Sequence, residues 1–218
     1  MSLSNSEVSL AAEMVGYGAV LENCERLAVG LFEQLPIGRD MHLLSSNGRC
    51  AVARAGHDGA SFGVLTQAIA HLGEEIARCV SEAKVIADNS VILASNLVAV
   101  LPRLGCIDEH AQAEEQTALI HLVYEQNRQL SDSLRQLDLA LSPREMSVKK
   151  GDYLALFASV EAGNAIKDKA RFEAIASRMK MMVSSLSEYH KQQAILLNGL
   201  ILSVEQQHLD LRTVVKAA

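Results

Sequence analysis

Apolar residues recur at alternating steps of about four and three through Leu65, Ile69, Leu72, Ile76, Cys79/Val80, Ala83, Ile86/Ala87, Val91, Ala94, Leu97/Val98 and Leu101. This heptad spacing keeps one stripe of a helix apolar for about five heptads, and only other helices can bury such a stripe along its whole length. A second run passes through Ile120, Val123, Asn127, Leu130, Leu134, Leu137 and Leu141. A third passes through Ile175, Met179, Met182, Leu186, Tyr189, polar Gln193 and Leu196. Strand-like alternation does not extend beyond a few residues. Composition agrees: 49% of the 218 residues are hydrophobic, but only 4% are aromatic, with no Trp and 3 Pro. A β-sandwich or barrel needs more turn residues and more aromatic or β-branched strands. The expected fold class is all-α.

The breakers are few. Ala55-Gly56-His57-Asp58-Gly59 reads as a tight turn between two helical stretches, and Pro102 with Leu104-Gly105 reads as a connection after the long helix. Pro36 with Gly38, and Ser142-Pro143, should break or kink their helices, and Ser142-Pro143 also suits the first turn of a new one. A shift of 110 residues lays Leu44 on Leu154, Cys50 on Val160, Phe62 on Phe172, Leu65 on Ile175, Ile69 on Met179, Leu72 on Met182 and Ile76 on Leu186. The register continues without a gap to Val91 on Ile201, and the turn at Gly56–Gly59 lands in the polar stretch Gly163–Lys169. The chain is therefore expected to hold two tandem helical hairpins, over 1–101 and 110–218, joined at 102–109, with tips near 55–59 and 163–170. Packed side by side they make one elongated antiparallel four-helix bundle or coiled coil, a pseudo-dimer within one chain. Arms of about 45 residues give a rod of roughly 65–70 Å. Facing residues of the first hairpin lie equally far from residues 56 and 57. No two cysteines meet that condition, so no disulfide is expected within it.

Charge and motifs narrow the function classes. Asp and Glu number 26 against 20 Lys and Arg, for a net charge of −6 without a basic block. Phosphate neutralisation needs clustered cations, so nucleic acid is not an expected partner. Met1–Ala12 lacks the positive stretch of a secretory signal, and the longest apolar run, Val91–Leu101, is 11 residues, where a spanning helix needs about 20. A soluble, cytoplasmic protein without membrane insertion is expected. Cys24, Cys50, Cys79 and Cys106 show no metal-ligand spacing and read as free thiols in a reducing compartment. Glu205 and His208 form a single Glu-x-x-His pair, where a dinuclear bundle site uses two. None of the seven histidines is followed by the Lys-Gly of a phosphotransfer helix, His190-Lys191 coming nearest. Phosphotransfer and metal binding thus remain minor alternatives. Nucleotide loops and metalloprotease motifs are not seen. No catalytic residue, cofactor or metal is expected, and the chain reads as a non-enzyme. The pairs Glu74-Glu75 and Glu114-Glu115 read as solvated faces, whereas Asn127 and Gln193 fall on core positions.

The segment Leu43–Leu72, LLSSNGRCAVARAGHDGASFGVLTQAIAHL, carries an ARAG-x-x-G-x-x-F core at the expected turn. It resembles the hairpin tip of the methyl-accepting chemotaxis proteins, the bacterial chemoreceptors, matching at Leu43, Leu44, Asn47, Ala53-Arg54-Ala55-Gly56, Gly59, Phe62, Val64 and Leu72. Leu154–Ala162, with Phe172 and Ala176, resembles the same tip more weakly. The resemblance implies a protein-interaction tip that engages a chemotaxis histidine kinase and its coupling adaptor, or other receptors. Carried over position by position, the partner-binding set is Leu43, Leu44, Asn47, Cys50, Arg54, Phe62, Val64 and Leu65, with Glu161 and Phe172 from the second hairpin. Phe62 and Val64 are expected to be exposed and to favour self-association at the tip. The chain departs from the family where Ala51 replaces a Glu, Ala60-Ser61 replace Arg-Gly, and Asn164 replaces an Arg; Glu161 keeps the family's Glu. The methylated positions of the family lie farther from the tip than these arms reach. The resemblance suggests a signalling protein that binds or modulates the kinase–adaptor complex. The alternative is a helical scaffold or dimerisation module in another pathway.

Overall fold

The computed structural model describes residues 5–105 and 113–217. Every described element is helical: α1 (Asn5–Phe32), α2 (Leu35–Ala55), a 3-10 turn (Gly56–Gly59), α3 (Ala60–Gly105), α4 (Ala113–Leu141), α5 (Pro143–Asn164) and α6 (Lys169–Ala217). Among the described residues there is no strand. The all-α class follows from the heptads, and the helix boundaries follow from the breakers. Pro36 lies in the first turn of α2 and Pro143 opens α5, where the missing N–H costs no helical hydrogen bond. Gly56 has φ +65°, left-handed backbone that favours glycine, and ends α2. The second tip uses Asp168 at φ 55° instead, a residue type that tolerates this region. There the Asp168 carbonyl accepts the N–H groups of Arg171 and Phe172 at 2.9 and 3.2 Å.

One expected boundary is corrected. Pro102 does not follow the long helix; α3 runs through it to Gly105. Pro102 lies close to the helix end and is exposed, so little helix beyond it is disturbed. The rest of the 102–109 connection, with Cys106, lies outside the described residues. The third heptad run also shifts by one residue in places: α6 buries Val183 and Leu197 rather than Met182 and Leu196, because a straight helix drifts against a seven-residue repeat.

The chain forms two compact units, each with segments from both expected hairpins. Unit 1 comprises Met1–Val29, Lys84–Leu139 and Ala194–Ala218. Its buried polar groups include Asn127, whose Nδ2 donates to the Val204 carbonyl at 3.3 Å, and the hydroxyls of Ser90 and Ser133, 2.9 Å apart. Unit 2 comprises Gly30–Ala83 and Ala140–Gln193. α2, α3, α5 and α6 all feed one core there, with Met41, Ile69, Ala158 and Met179 fully enclosed. Gly38 lies against Gly73 and Ala77, and Ser45 and Gly48 against Thr66, the antiparallel pairing expected around the first turn. At Gly38 an added Cβ would stand 2.8 Å from the Gly73 carbonyl oxygen and 2.6 Å from the Ala77 Cβ. The helices meet there backbone to backbone.

The breaks at Pro36 and Pro143 leave the core positions in register. Leu134, Leu137, Leu141, Arg144, Val148, Gly151, Ala155, Ala158 and Ala162 are all buried at three- and four-residue steps, as are Leu27, Leu31, Gln34, Gly38 and Met41. Arg144 and Gln34 are thus equivalent under the 110-residue repeat, and both put a polar side chain into the core beside a break.

Candidate functional site

The ten partner-binding residues carried over by the resemblance all lie in unit 2, on two kinds of position. Leu43, Asn47, Cys50 and Arg54 are exposed and share one face of α2 at near-heptad steps. Val64 is 68% exposed at the start of α3, and Leu65 is half-buried and packs against the core. Leu44, Phe62 and Phe172 are buried. The expectation of an exposed Phe62 is therefore corrected: its ring lies 4.3 Å from that of Phe172, tilted by 35°. Phe62 and Phe172 are equivalent positions, and each offers its ring to the same core behind its own turn.

Glu161 is half-buried and accepts a hydrogen bond from the Ser61 hydroxyl at 2.5 Å. The carboxylate of the second hairpin is thus held by a residue of the first, at one of the positions where this chain departs from the chemoreceptor pattern. At the second tip, Lys169 Nζ donates to the Gly163 carbonyl at 3.1 Å and satisfies part of the α5 terminus. Glu74 and Glu75 are less free than expected. Glu75 pairs with Lys150 at 3.0 Å and with His71 at 3.2 Å, and Glu74 lies 3.7 Å from His42. Such surface pairs contribute little to stability.

Sequence reasoning missed the second face. On α5, Tyr153, Leu156, Phe157 and Val160 are all more than half exposed, while Gly151, Ala155, Ala158 and Ala162 on the same helix are buried. α5 turns its small residues to the core and its large apolar ones to solvent, the reverse of ordinary amphipathic packing. The 3-1-3 spacing of those four residues was legible, but the alternating alanines made either face fit the core. Under the repeat, Tyr153, Phe157 and Val160 are the counterparts of Leu43, Asn47 and Cys50. Tyr153, Leu156, Phe157 and Val160 form one exposed apolar strip along α5.

The other chemistry-bearing residues are dispersed. Cys24 and Cys79 are buried and Cys50 is exposed, and all three are free thiols. Burial, with Glu25 nearby, pushes the Cys24 thiol up to about 12. Glu205 pairs with Arg135 at 2.7 Å, and His208 stacks on Tyr124 with 4.7 Å between ring centres. Among the described residues no cluster of three His, Cys, Asp or Glu is placed to hold a metal. Gly16–Arg103 contains a stretch long and apolar enough to cross a membrane, by length and composition alone; a core helix of a soluble protein meets the same criterion. Compared with protein-family models, curated proteins and solved structures, the chain matches none.

Proposed function

We propose that this chain is a non-enzymatic, chemoreceptor-like signalling protein of the cytoplasm that binds or modulates a chemotaxis histidine kinase–coupling adaptor complex. In this reading the two hairpins form an antiparallel four-helix bundle, and one chain supplies what receptors assemble from two. The observation that carries it is the α2 face beside the Gly56 turn. Leu43, Asn47, Cys50 and Arg54, all within the ARAG-bearing resemblance, are exposed there together. The apolar strip of α5 supports a docking role for the equivalent face of the second hairpin. No cofactor enters the mechanism. Docking biases the partner's active–inactive equilibrium through unequal affinity for its two states. Co-sedimentation of the full chain with purified kinase and adaptor tests the reading. Wild type should be recovered with the complex, and Arg54→Glu should not. A second reading, a helical scaffold in another pathway, rests on the difference between the two faces, since Tyr153 and Phe157 stand where the first hairpin has Leu43 and Asn47. A folded wild-type chain that binds neither protein would support the scaffold instead.

A further inference from the structure

Arg144 lies in the core of unit 2 and is 1% exposed. Its Nη1 donates to Gln193 Oε1. Its Nε and Nη2 meet no protein acceptor, nor does Gln193 Nε2 find one. Among the described residues no carboxylate pairs with Arg144. The group that faces it electrostatically is the Cys79 thiol, whose Sγ donates to the Ala140 carbonyl at 3.2 Å. Burial pulls the guanidinium down only to about 10, so it is charged at neutral pH. An unpaired buried cation is costly, and buried charges are found paired. Nε and Nη2 form one edge of the planar guanidinium, the edge that grips an anion through two parallel N–H donors. Gln34, which matches Arg144 under the 110-residue shift, is also fully buried, and its Nε2 is bonded to the Gly30 carbonyl 2.5 Å away. The Gly30 backbone also approaches Gln193, whose Nε2 lies 3.2 Å from where a Cβ on Gly30 would be.

We propose that the Nε–Nη2 edge of Arg144 binds a small monovalent anion of chloride size in the core of unit 2. The enclosure sets the size. Arg144 and Gln193 are each at most 5% exposed, so a larger organic anion has no path to that edge. The donor set sets the charge, because two unpaired N–H groups lie along one edge of a permanent cation that has no carboxylate partner among the described residues. The site lies on the core side of the break that opens α5, away from the exposed docking faces, and it does not depend on the docking proposal.

Thermal unfolding of the full chain in sodium chloride and in sodium gluconate, at equal ionic strength, tests the assignment. A ligand that binds only the folded state stabilises it by RT times the logarithm of one plus its concentration divided by Kd, and raises Tm accordingly. The expected result is a Tm about 2–4 °C higher in chloride. Arg144→Met removes the donors, and Gln193→Glu supplies a fixed carboxylate beside them; the difference should vanish in both. Gln193→Glu keeps the assignment falsifiable if Arg144→Met fails to fold. Crystals grown in bromide should show an anomalous peak at the Nε–Nη2 edge. Equal Tm in the two salts, a chloride effect that persists in Gln193→Glu, or no bromide peak at that edge would overturn the assignment and leave water as the compensating group.

Discussion

Asn127 is fully buried, with one amide hydrogen bond made and its Oδ1 unpaired. A buried acceptor left without a donor costs more than a typical hydrogen bond returns, and replacing the group by an apolar one of similar shape removes that cost. Asn127→Leu should therefore raise unfolding stability by about 1 kcal/mol in urea titrations; unchanged or lower stability would mean that the polar group holds the register of unit 1. His190 carries a second residue-scale prediction. Its imidazole is held below the ordinary 6.5 by burial and by Arg144, with Glu145 acting the other way. The folded state therefore binds the proton less readily than the unfolded one. Stability is whole above the ordinary value and falls as pH drops from there toward the depressed one. Melting curves between pH 7.5 and 5.5 should show that loss, and it should shrink in His190→Asn. Thiol accessibility gives a third test. Peptide-mapped maleimide labelling of the native chain should modify exposed Cys50 well before buried Cys24 and Cys79.

At the scale of elements, the contact between α2 and α3 rests on the absence of side chains at Gly38 and Gly73. Gly38→Ala drives a methyl into the Gly73 carbonyl and the Ala77 side chain, so the helices must separate or shift. Overpacking of this kind should lower stability by about 1–3 kcal/mol, read as a lower urea midpoint with an unchanged slope. The helices were legible because a heptad specifies one buried stripe, and proline and glycine mark where the backbone stops. An interruption at Pro36 was legible for that reason, as either a break or a kink, and the structure has a break there; the continuation of α3 through Pro102 was not, because a proline near an exposed helix end costs little. The site was only partly legible. Resemblance places Leu43, Asn47, Cys50 and Arg54 at a tip, and α2 periodicity carries them outward together. It gives no burial for Phe62, although the step from Phe62 to Leu65 and Ile69 continues the heptad into the core. Arg144 stayed hidden because a residue after proline reads as a solvated first turn. Only the unbroken spacing from Leu141 to Val148 marks it as a core position.

At the scale of the whole molecule, positions 110 residues apart share two breaks, two turns and one pair of touching rings, while their exposed residues differ. The first hairpin presents Asn47 and Arg54; the second presents Phe157 and, through Ser61, a tethered Glu161. The proposed docking face is the α2 surface beside the first turn, and its proposed partner is the chemotaxis kinase–adaptor complex. The most direct measurement is a calorimetric titration of the full chain into the purified adaptor, alone and with kinase, using wild type, Arg54→Glu and, as a surface control on unit 1, Leu202→Glu. The account predicts saturable binding by wild type and by Leu202→Glu, weakened at least about tenfold in Arg54→Glu by loss of roughly 1.4 kcal/mol or more. Equal binding by wild type and Arg54→Glu, or no heat from a wild-type chain shown to be folded and helical, would contradict it.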